Sequence, residues 1–275
     1  MDINSILEEL QLGSLKNYKE IIAGEDSSVW KLENAEGDIF ALRLLPIERY
    51  RQFEREEEYM RVARQGGVPV PKVHFVKKIG DWSAMLMDWA EGRTVLEEIL
   101  THPENAYKLG TEFGKTQASI HKISLITNEI ENWLSPQGKE VELLHQLREE
   151  TQTQMLLHLD YHPLNVLTDG TSITAVIDWA NACVDDPRFD TARTFAILDM
   201  EVKKAIQGSQ LEEGHVKEFI NGWVHGYGKM PEDYPQYNRW AGLRMIRDLA
   251  GKRSAEELID IEQWATRWEK YDRTR

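Results

Sequence analysis

The sequence predicts an α+β chain of two lobes, a strand-rich first third and a mostly helical remainder. Three observations lead there. Residues 1–90 hold five short runs of alternating or aliphatic residues, split by turn signals, with one charged helical segment among them. After Glu91-Gly92 the apolar spacing shifts to that of helices and largely stays so to the C-terminus. Between the helical stretches, Met155-Leu156-Leu157 and Ile173–Ile177 read as short buried strands around a polar segment. The expected lobes are 1–90, with a five-stranded antiparallel sheet plus a helix, and 91–275, joined at about 87–92.

Taken in order, Ser5-x-x-Glu8 has the form of a capping box opening a short amphipathic helix to about Leu12. Tyr18–Ile22, Ser28–Glu33 and Asp38–Leu45 read as strands, the last two joined by a hairpin-like connection at Glu33–Gly37. A charged helix over Ile47–Arg64 places Phe53, Met60 and Ala63 inward, and Gly66-Gly67-Val68-Pro69-Val70-Pro71 stops it. Val73–Lys78 and Ser83–Met87 are two further strands around a turn at Gly80-Asp81. Thr94-x-x-Glu97 is a second capping box, and Leu109, Phe113 and Ile120 give the apolar spacing of a helix over Glu104–Lys122. The C-terminal helices carry Trp223, Trp240, Trp264 and Trp268.

Net charge is −14, from 33 basic and 47 acidic residues. That balance opposes nucleic acid and anionic membranes, which need clustered cations, and it suits a cationic small substrate. One cysteine, Cys183, rules out an intrachain disulfide framework and points to a reducing, cytoplasmic setting. Met1–Leu15 lacks the basic and apolar regions of a signal peptide, and no apolar run approaches the ~20 residues that span a bilayer.

The functional signal lies between Leu156 and Asp178. Asp160 is followed after four residues by Asn165, and Asp178 comes thirteen residues later at the end of an aliphatic run. A carboxylate able to take a hydroxyl proton, an amide oxygen and a second carboxylate are the base and hard oxygen ligands that magnesium-dependent phosphoryl transfer requires. His158-Leu159-Asp160, Asn165 and Asp178-Trp179 reproduce the spacing of the protein-kinase signature H-R-D-x-x-x-x-N and D-F-G, with the arginine and the F-G pair replaced. Asp160 and Asn165 fall on a loop, with turn chemistry at Thr168–Thr171 beyond it.

The kinase template also needs a cation for the nucleotide phosphates on the third strand, paired to a helix glutamate. Phe40-Ala41-Leu42-Arg43 supplies Arg43, on the strand face opposite Phe40, Leu42 and Leu44, and either Glu56 or Glu57 is its partner. The alternative is an edge-strand arginine facing water. Gly24-Glu25-Asp26-Ser27-Ser28 is a sparse phosphate loop, in which Ser27 and Ser28 with backbone amides would hold phosphate, or an ordinary turn. Met87, Asp88 and Ala90 sit at the lobe junction, where the backbone of Asp88 and Ala90 would meet an adenine.

Over most of its length the chain resembles the aminoglycoside phosphotransferase family, protein-kinase-like enzymes that include antibiotic-inactivating and small-metabolite kinases. The resemblance runs through Arg55-Glu56, Gly67–Pro71, Met87–Gly92, Leu109-Gly110, Ile120-His121, His158–Leu167, Val176–Trp179 and Asp186–Asp190. It implies Asp160 as catalytic base or hydroxyl orienter, Asn165 and Asp178 as magnesium ligands, ATP or GTP as donor, and Glu56 as the partner of Arg43. It also implies Asp190 as a structural aspartate. Leu159 stands where glycine is commoner, and Arg43 where the best-known members have lysine.

The expected reaction is transfer of a nucleotide γ-phosphate to a hydroxyl of a small molecule, by a monomer or homodimer. No A-P-E segment follows Asp178, which argues against a protein kinase regulated by phosphorylation. Two other readings stand beside it: an inactive nucleotide-binding relative, suggested by Arg43 and the sparse glycine loop, and a zinc hydrolase using His158, Asp160 and His162. Acidic residues (Glu129, Glu131, Glu140, Glu142, Glu149, Glu150, Glu201, Glu212, Glu213) would receive an amine-bearing substrate or are solvated helix faces. The tryptophans of the tail form core or an apolar wall for a macrolide. Aminoglycoside, macrolide, choline-like, amino-alcohol and sugar acceptors all satisfy the sequence.

Overall fold

The computed structural model describes residues 3–12, 14–21, 28–125, 132–149, 153–202, 211–229 and 234–272. The chain forms two compact units, Met1–Glu91 with Ala175–Ala180, and Gly92–Thr174 with Asn181–Arg275. The division expected near residue 90 therefore misses one segment. Ala175–Ala180 returns to the first unit, where the Val176 N–H donates to the Pro69 carbonyl at 2.7 Å.

The first unit is built on a sheet of order β1-β2-β3-β5-β4, with β1 Leu15–Ile21, β2 Ser28–Asn34, β3 Ile39–Pro46, β4 Val73–Ile79 and β5 Trp82–Asp88. Every neighbouring pair is antiparallel. Period-2 alternation gives the sheet two faces. On one, Leu32, Leu42, Leu44, Ala84 and Leu86 are buried together with Ile6 and Leu10 of helix α1 (Ile3–Leu10). On the other lies Arg43, its guanidinium 5.4 Å from the ring of Phe53 on helix α2 (Tyr50–Gln65). Helix α2 buries Phe53, Glu56, Met60 and Ala63, a stripe of three- and four-residue steps. Gly67, at φ +84°, turns the chain out of it, a conformation glycine adopts without strain. Two expectations need correction. Ser5 lies within α1 instead of capping it, and α2 begins at Tyr50 after a short 3-10 turn at Ile47–Arg49. Ile22 and Gly24–Ser27 lie outside the described residues.

The second unit starts with β6 (Arg93–Thr94) and α3 (Val95–Thr101), where Thr94 and Glu97 form the expected reciprocal cap. Helix α4 (Ala106–Ile120) follows, then α5 (Glu140–Glu149). Strands β7 (Met155–Leu157) and β8 (Val166–Thr168) come next, β8 pairing with β6. Strand β9 (Ile173–Val176) carries the chain into the Ala175–Ala180 segment, and β10 (Cys183–Asp185) returns to pair with β7. Helix α6 (Pro187–Ala196) leads into a π-helical turn at Ile197–Val202, and α7 (Glu213–Tyr227), α8 (Pro235–Leu249) and α9 (Ala255–Asp272) complete the unit.

Helices α4 and α7 meet backbone to backbone through two pairs of glycines spaced four apart. A Cβ at Gly110 or Gly114 would collide with the carbonyls of Phe219 and Trp223, and one at Gly222 or Gly226 with those of Tyr107 and Thr111. This crossing fixes the floor under the β7–β8 loop. Trp223, Trp240, Trp264 and Trp268 are all at most 7% exposed, so they form core, and the apolar-wall alternative falls. Among the described residues no helix is long and apolar enough to cross a membrane.

Candidate active site

The loop between β7 and β8 takes its shape from a buried carboxylate. Asp190, in the first turn of α6, is fully buried and accepts the backbone N–H of His158 at 3.1 Å and of Leu159 at 2.8 Å. Two successive amides can aim at one carboxylate because Leu159 adopts φ +62°, a left-handed conformation that an L-residue reaches only at a cost. Burial by itself would raise the Asp190 carboxyl and is the largest influence. It is outweighed by the His121 hydrogen bond at 2.8 Å, the charges of His121 and His158 and the His158 amide, so the group is held below the usual carboxylate range. Further support comes from a buried relay: Trp223 Nε1 donates to Gln117, Gln117 donates to Thr194, and Thr194 donates to the Tyr161 carbonyl, at 2.8, 2.8 and 2.9 Å.

On this loop Asp160 and Asn165 are hydrogen-bonded to each other. The Asn165 amide nitrogen donates to the Asp160 carbonyl and to its Oδ2, both at 3.0 Å, which turns the amide oxygen the other way. His162 Nε2 stands 3.6 Å from the same carboxylate. Burial is again the largest influence on Asp160 and would raise it. The His162 hydrogen bond and charge, then the charges of Arg193 and His158, reverse the sign and hold the carboxyl at about 2. At neutral pH it is a carboxylate, an acceptor for a hydroxyl and only a weak base.

The zinc alternative fails on this geometry. His158 is fully buried, its Nδ1 accepts the Asp160 amide at 3.3 Å, and its ring meets Tyr161 edge-on. Among the described residues no three His, Cys, Asp or Glu side chains are grouped to hold a metal ion.

In the first unit the structure brings together Arg43, Glu56 and Asp178. Strand β3 is central in its sheet, which removes the edge-strand reading, and the Arg43 side chain is 11% exposed. Of the two candidate partners, Glu56 is the one that pairs: its Oε2 is 2.5 Å from Arg43 Nη1, with Gln52 donating to its other oxygen at 2.8 Å. Asp178 Oδ1 lies 3.6 Å from Arg43 Nη2, and its side chain is half exposed. Like Leu159 it adopts φ +62°. Asn165 and Asp178 offer amide and carboxylate oxygens, the donor chemistry magnesium takes.

Ser28 pairs with Leu44 at the start of β2, and its hydroxyl is 3.4 Å from Glu20; Ser27 lies outside the described residues. Met87 is buried on β5, and Asp88 ends that strand. The Asp88 N–H is taken by the Lys72 carbonyl at 2.9 Å. Trp89 donates to Ile39 and lies under Lys31, and Ala90 follows it. Glu129, Glu131 and Glu150 lie outside the described residues. Glu140 is buried against Arg247, which removes it from the expected acidic substrate surface. The sequence reading did not single out Arg193, which the fold buries beside the β7–β8 loop; its only sequence signal is a cation between two threonines in an otherwise apolar turn of α6.

The antiparallel sheet and the helical unit after it define the protein-kinase-like fold of aminoglycoside kinases. The crystal structure of aminoglycoside phosphotransferase APH(4)-Ia matches with a TM-score of 0.73 at 15% identity, over 98% of this chain and 99% of that one. Amicoumacin kinase hAmiN, in complex with AMP-PNP, Ca2+ and Ami, matches with a TM-score of 0.71 at 15% identity, over 98% and 94%. A thermostable APH(4)-Ia mutant in ternary complex with ADP and hygromycin B gives 0.71 at 15% identity, over 98% and 97%. No curated protein matches the sequence. The model of the phosphotransferase enzyme family matches residues 17–150 and 131–241. The chain belongs to that family, and is a phosphotransferase with an alcohol group as acceptor.

Proposed function

We propose that this enzyme transfers the γ-phosphoryl group of ATP or GTP to a hydroxyl of a small molecule, in the cytoplasm, with Asp160 as the acceptor-side group and Asn165 and Asp178 as magnesium ligands. The observation that carries the reading is the Asp160–Asn165 pair on a loop pinned by Asp190. It presents a carboxylate and an amide oxygen from one rigid segment, which an inactive binding module would have no need to hold so. Magnesium, when bound, would offset charge on the phosphate oxygens.

Asp160 would accept a hydrogen bond from the substrate hydroxyl and fix its line of approach. Its carboxyl, held at about 2, makes it an orienter first and a proton acceptor late, as a loose transition state at phosphorus allows. Arg43, aligned by Glu56, would contact the nucleotide phosphates, bidentately where lysine offers a point charge. Ser27 and Ser28 would close on those phosphates, and the Asp88 carbonyl and Ala90 amide would meet the adenine, with Met87 behind them.

The test is a panel of hydroxyl-bearing acceptors, antibiotics of the kinds bound by the structural neighbours among them, incubated with magnesium and ATP or GTP. The expected result is acceptor-dependent release of nucleoside diphosphate and a new phosphate ester by phosphorus NMR. Stoichiometric tightly bound zinc with no transfer would point instead to hydrolytic chemistry.

A further inference from the structure

With the zinc geometry gone, His162 remains beside Asp160 with no assigned task. Its side chain is 18% exposed. The loop is pinned just beyond it, where the Pro163 carbonyl accepts the Leu96 N–H of α3 at 3.1 Å. The ring itself is oriented by its other nitrogen. Nδ1 accepts the Leu164 N–H at 3.3 Å, so the neutral imidazole carries its hydrogen on Nε2, as the charged ring does too.

That Nε2–H faces two residues. The Asn165 amide nitrogen is 3.2 Å away, but its two hydrogens go to the Asp160 carbonyl and Oδ2, both at 3.0 Å. It is a donor and has nothing to accept with. Asp160 Oδ2, at 3.6 Å, is the acceptor that remains. A separation of that size is of the kind that tightens when the reactive complex forms. Burial raises the Asp160 carboxyl, and the His162 contact is the largest of the influences that lower it. The two oxygens of Asp160 are thus unlike. Oδ2 faces the donors of Asn165 and His162, whereas Oδ1 has no partner among the described residues.

We infer that His162 is a positioning residue for Asp160, its Nε2–H holding Oδ2 so that Oδ1 alone meets the reacting hydroxyl. The inference rests on the phosphotransfer reading above and deepens it. The terminal torsion of an aspartate is broad and roughly two-fold, so a single hydrogen bond from Asn165 leaves the carboxylate free to swing. A second donor on the same oxygen removes that freedom. In the step served, the acceptor oxygen bonds to phosphorus as the bond to the nucleoside diphosphate breaks, and the hydroxyl proton passes to Oδ1. A carboxylate held by one oxygen keeps the other on the line of attack, which lowers the barrier through orientation.

The experiment compares the wild type with His162→Phe, which keeps a ring without its nitrogens, and His162→Gln, whose amide restores a donor. Turnover is followed as acceptor-dependent release of nucleoside diphosphate with magnesium and ATP, over the acceptor panel above with hygromycin B and glycerol included. In His162→Phe, kcat is expected to fall about 10- to 100-fold. KM for ATP, and the calorimetric affinity for a non-hydrolysable analogue with magnesium, should stay within about twofold. His162→Gln should recover most of the loss. In an Asp160→Asn background His162→Phe should cost less than about twofold, because a group acting only through the carboxylate has nothing left to act on. Crystal structures of the same proteins give a readout that needs no acceptor. Asp160 should hold one orientation in the wild type and His162→Gln, and be turned or split between two in His162→Phe. An unchanged kcat, additive losses in the double variant, or an unmoved Asp160 in His162→Phe overturns the assignment. So does weakened magnesium–nucleotide affinity in His162→Phe, which would place the action of His162 on Asn165 instead. Transfer by the wild type to no acceptor in the panel counts against the phosphotransfer reading, and the orientation of Asp160 in the crystals then decides His162 alone.

Discussion

Leu159 donates its backbone N–H to the buried carboxylate of Asp190 at 2.8 Å, from a backbone conformation with φ of +62°. The residue before Asp160 is thus strained and anchored at once, and the position of Asp160 follows from that anchor. Removing the anchor, as in Asp190→Ala, leaves His121 and two amides without their acceptor. The expected loss is about 3 kcal/mol in denaturant unfolding, the range for breaking a buried charged pair.

Leu159→Gly sets two effects against each other. It relieves left-handed strain of about 1–2 kcal/mol, but it empties a fully buried side-chain position, where large-to-small changes cost about 2–5 kcal/mol. Packing wins, and the variant should be less stable than the wild type by about 2 kcal/mol in the same assay. A stabilised variant would mean that strain dominates this loop.

The glycine crossing gives an opposed pair. Gly222→Ala drives a Cβ into the Tyr107 carbonyl, and overpacking against backbone should cost at least about 3 kcal/mol. Gly214, in the same helix α7, has nothing within 4 Å of a Cβ, so Gly214→Ala should stabilise by about 0.5–1 kcal/mol. Midpoints of thermal unfolding for the two variants should move in opposite directions.

Acid should destabilise the fold in a defined window. The carboxyls of Asp160, at about 2, and Asp190 are both held below the usual range. The unfolded chain therefore takes up their protons first, at about pH 4. The stability they contribute is complete above that pH and is lost as pH falls toward their folded values; for Asp160 it is on the order of 2 kcal/mol. Asp160→Asn should flatten the stability–pH curve between about pH 4 and pH 2. Any acid limb of kcat/KM near pH 6 belongs to another group, because Asp160 is ionised throughout that range.

Much of this was legible in the sequence because it rests on local pattern. The strands of the first unit stand out as short apolar-rich runs between turn signals, and Thr94-x-x-Glu97 forms its box. What escaped depends on partners far along the chain. Strands β6, β8 and β10 have two or three residues each, too few for a period to register, and exist through pairing with distant segments. The return of Ala175–Ala180 to the first unit rests on contacts such as Val176 with Pro69. The Gly110/Gly114 and Gly222/Gly226 spacings were visible, but their meaning lies in two helices separated by roughly a hundred residues meeting face to face. Arg193 looks like any helical arginine until burial and missing acceptors set it apart.

The most direct measurement is acceptor-dependent nucleoside diphosphate release with magnesium and ATP by the wild type and by Asp160→Ala, with nucleotide affinity measured in parallel by calorimetry. The account predicts that turnover falls by a factor of about 10² to 10⁴ while nucleotide binding changes little. Turnover that survives the substitution unchanged would contradict the role of Asp160 and the chemistry built on it.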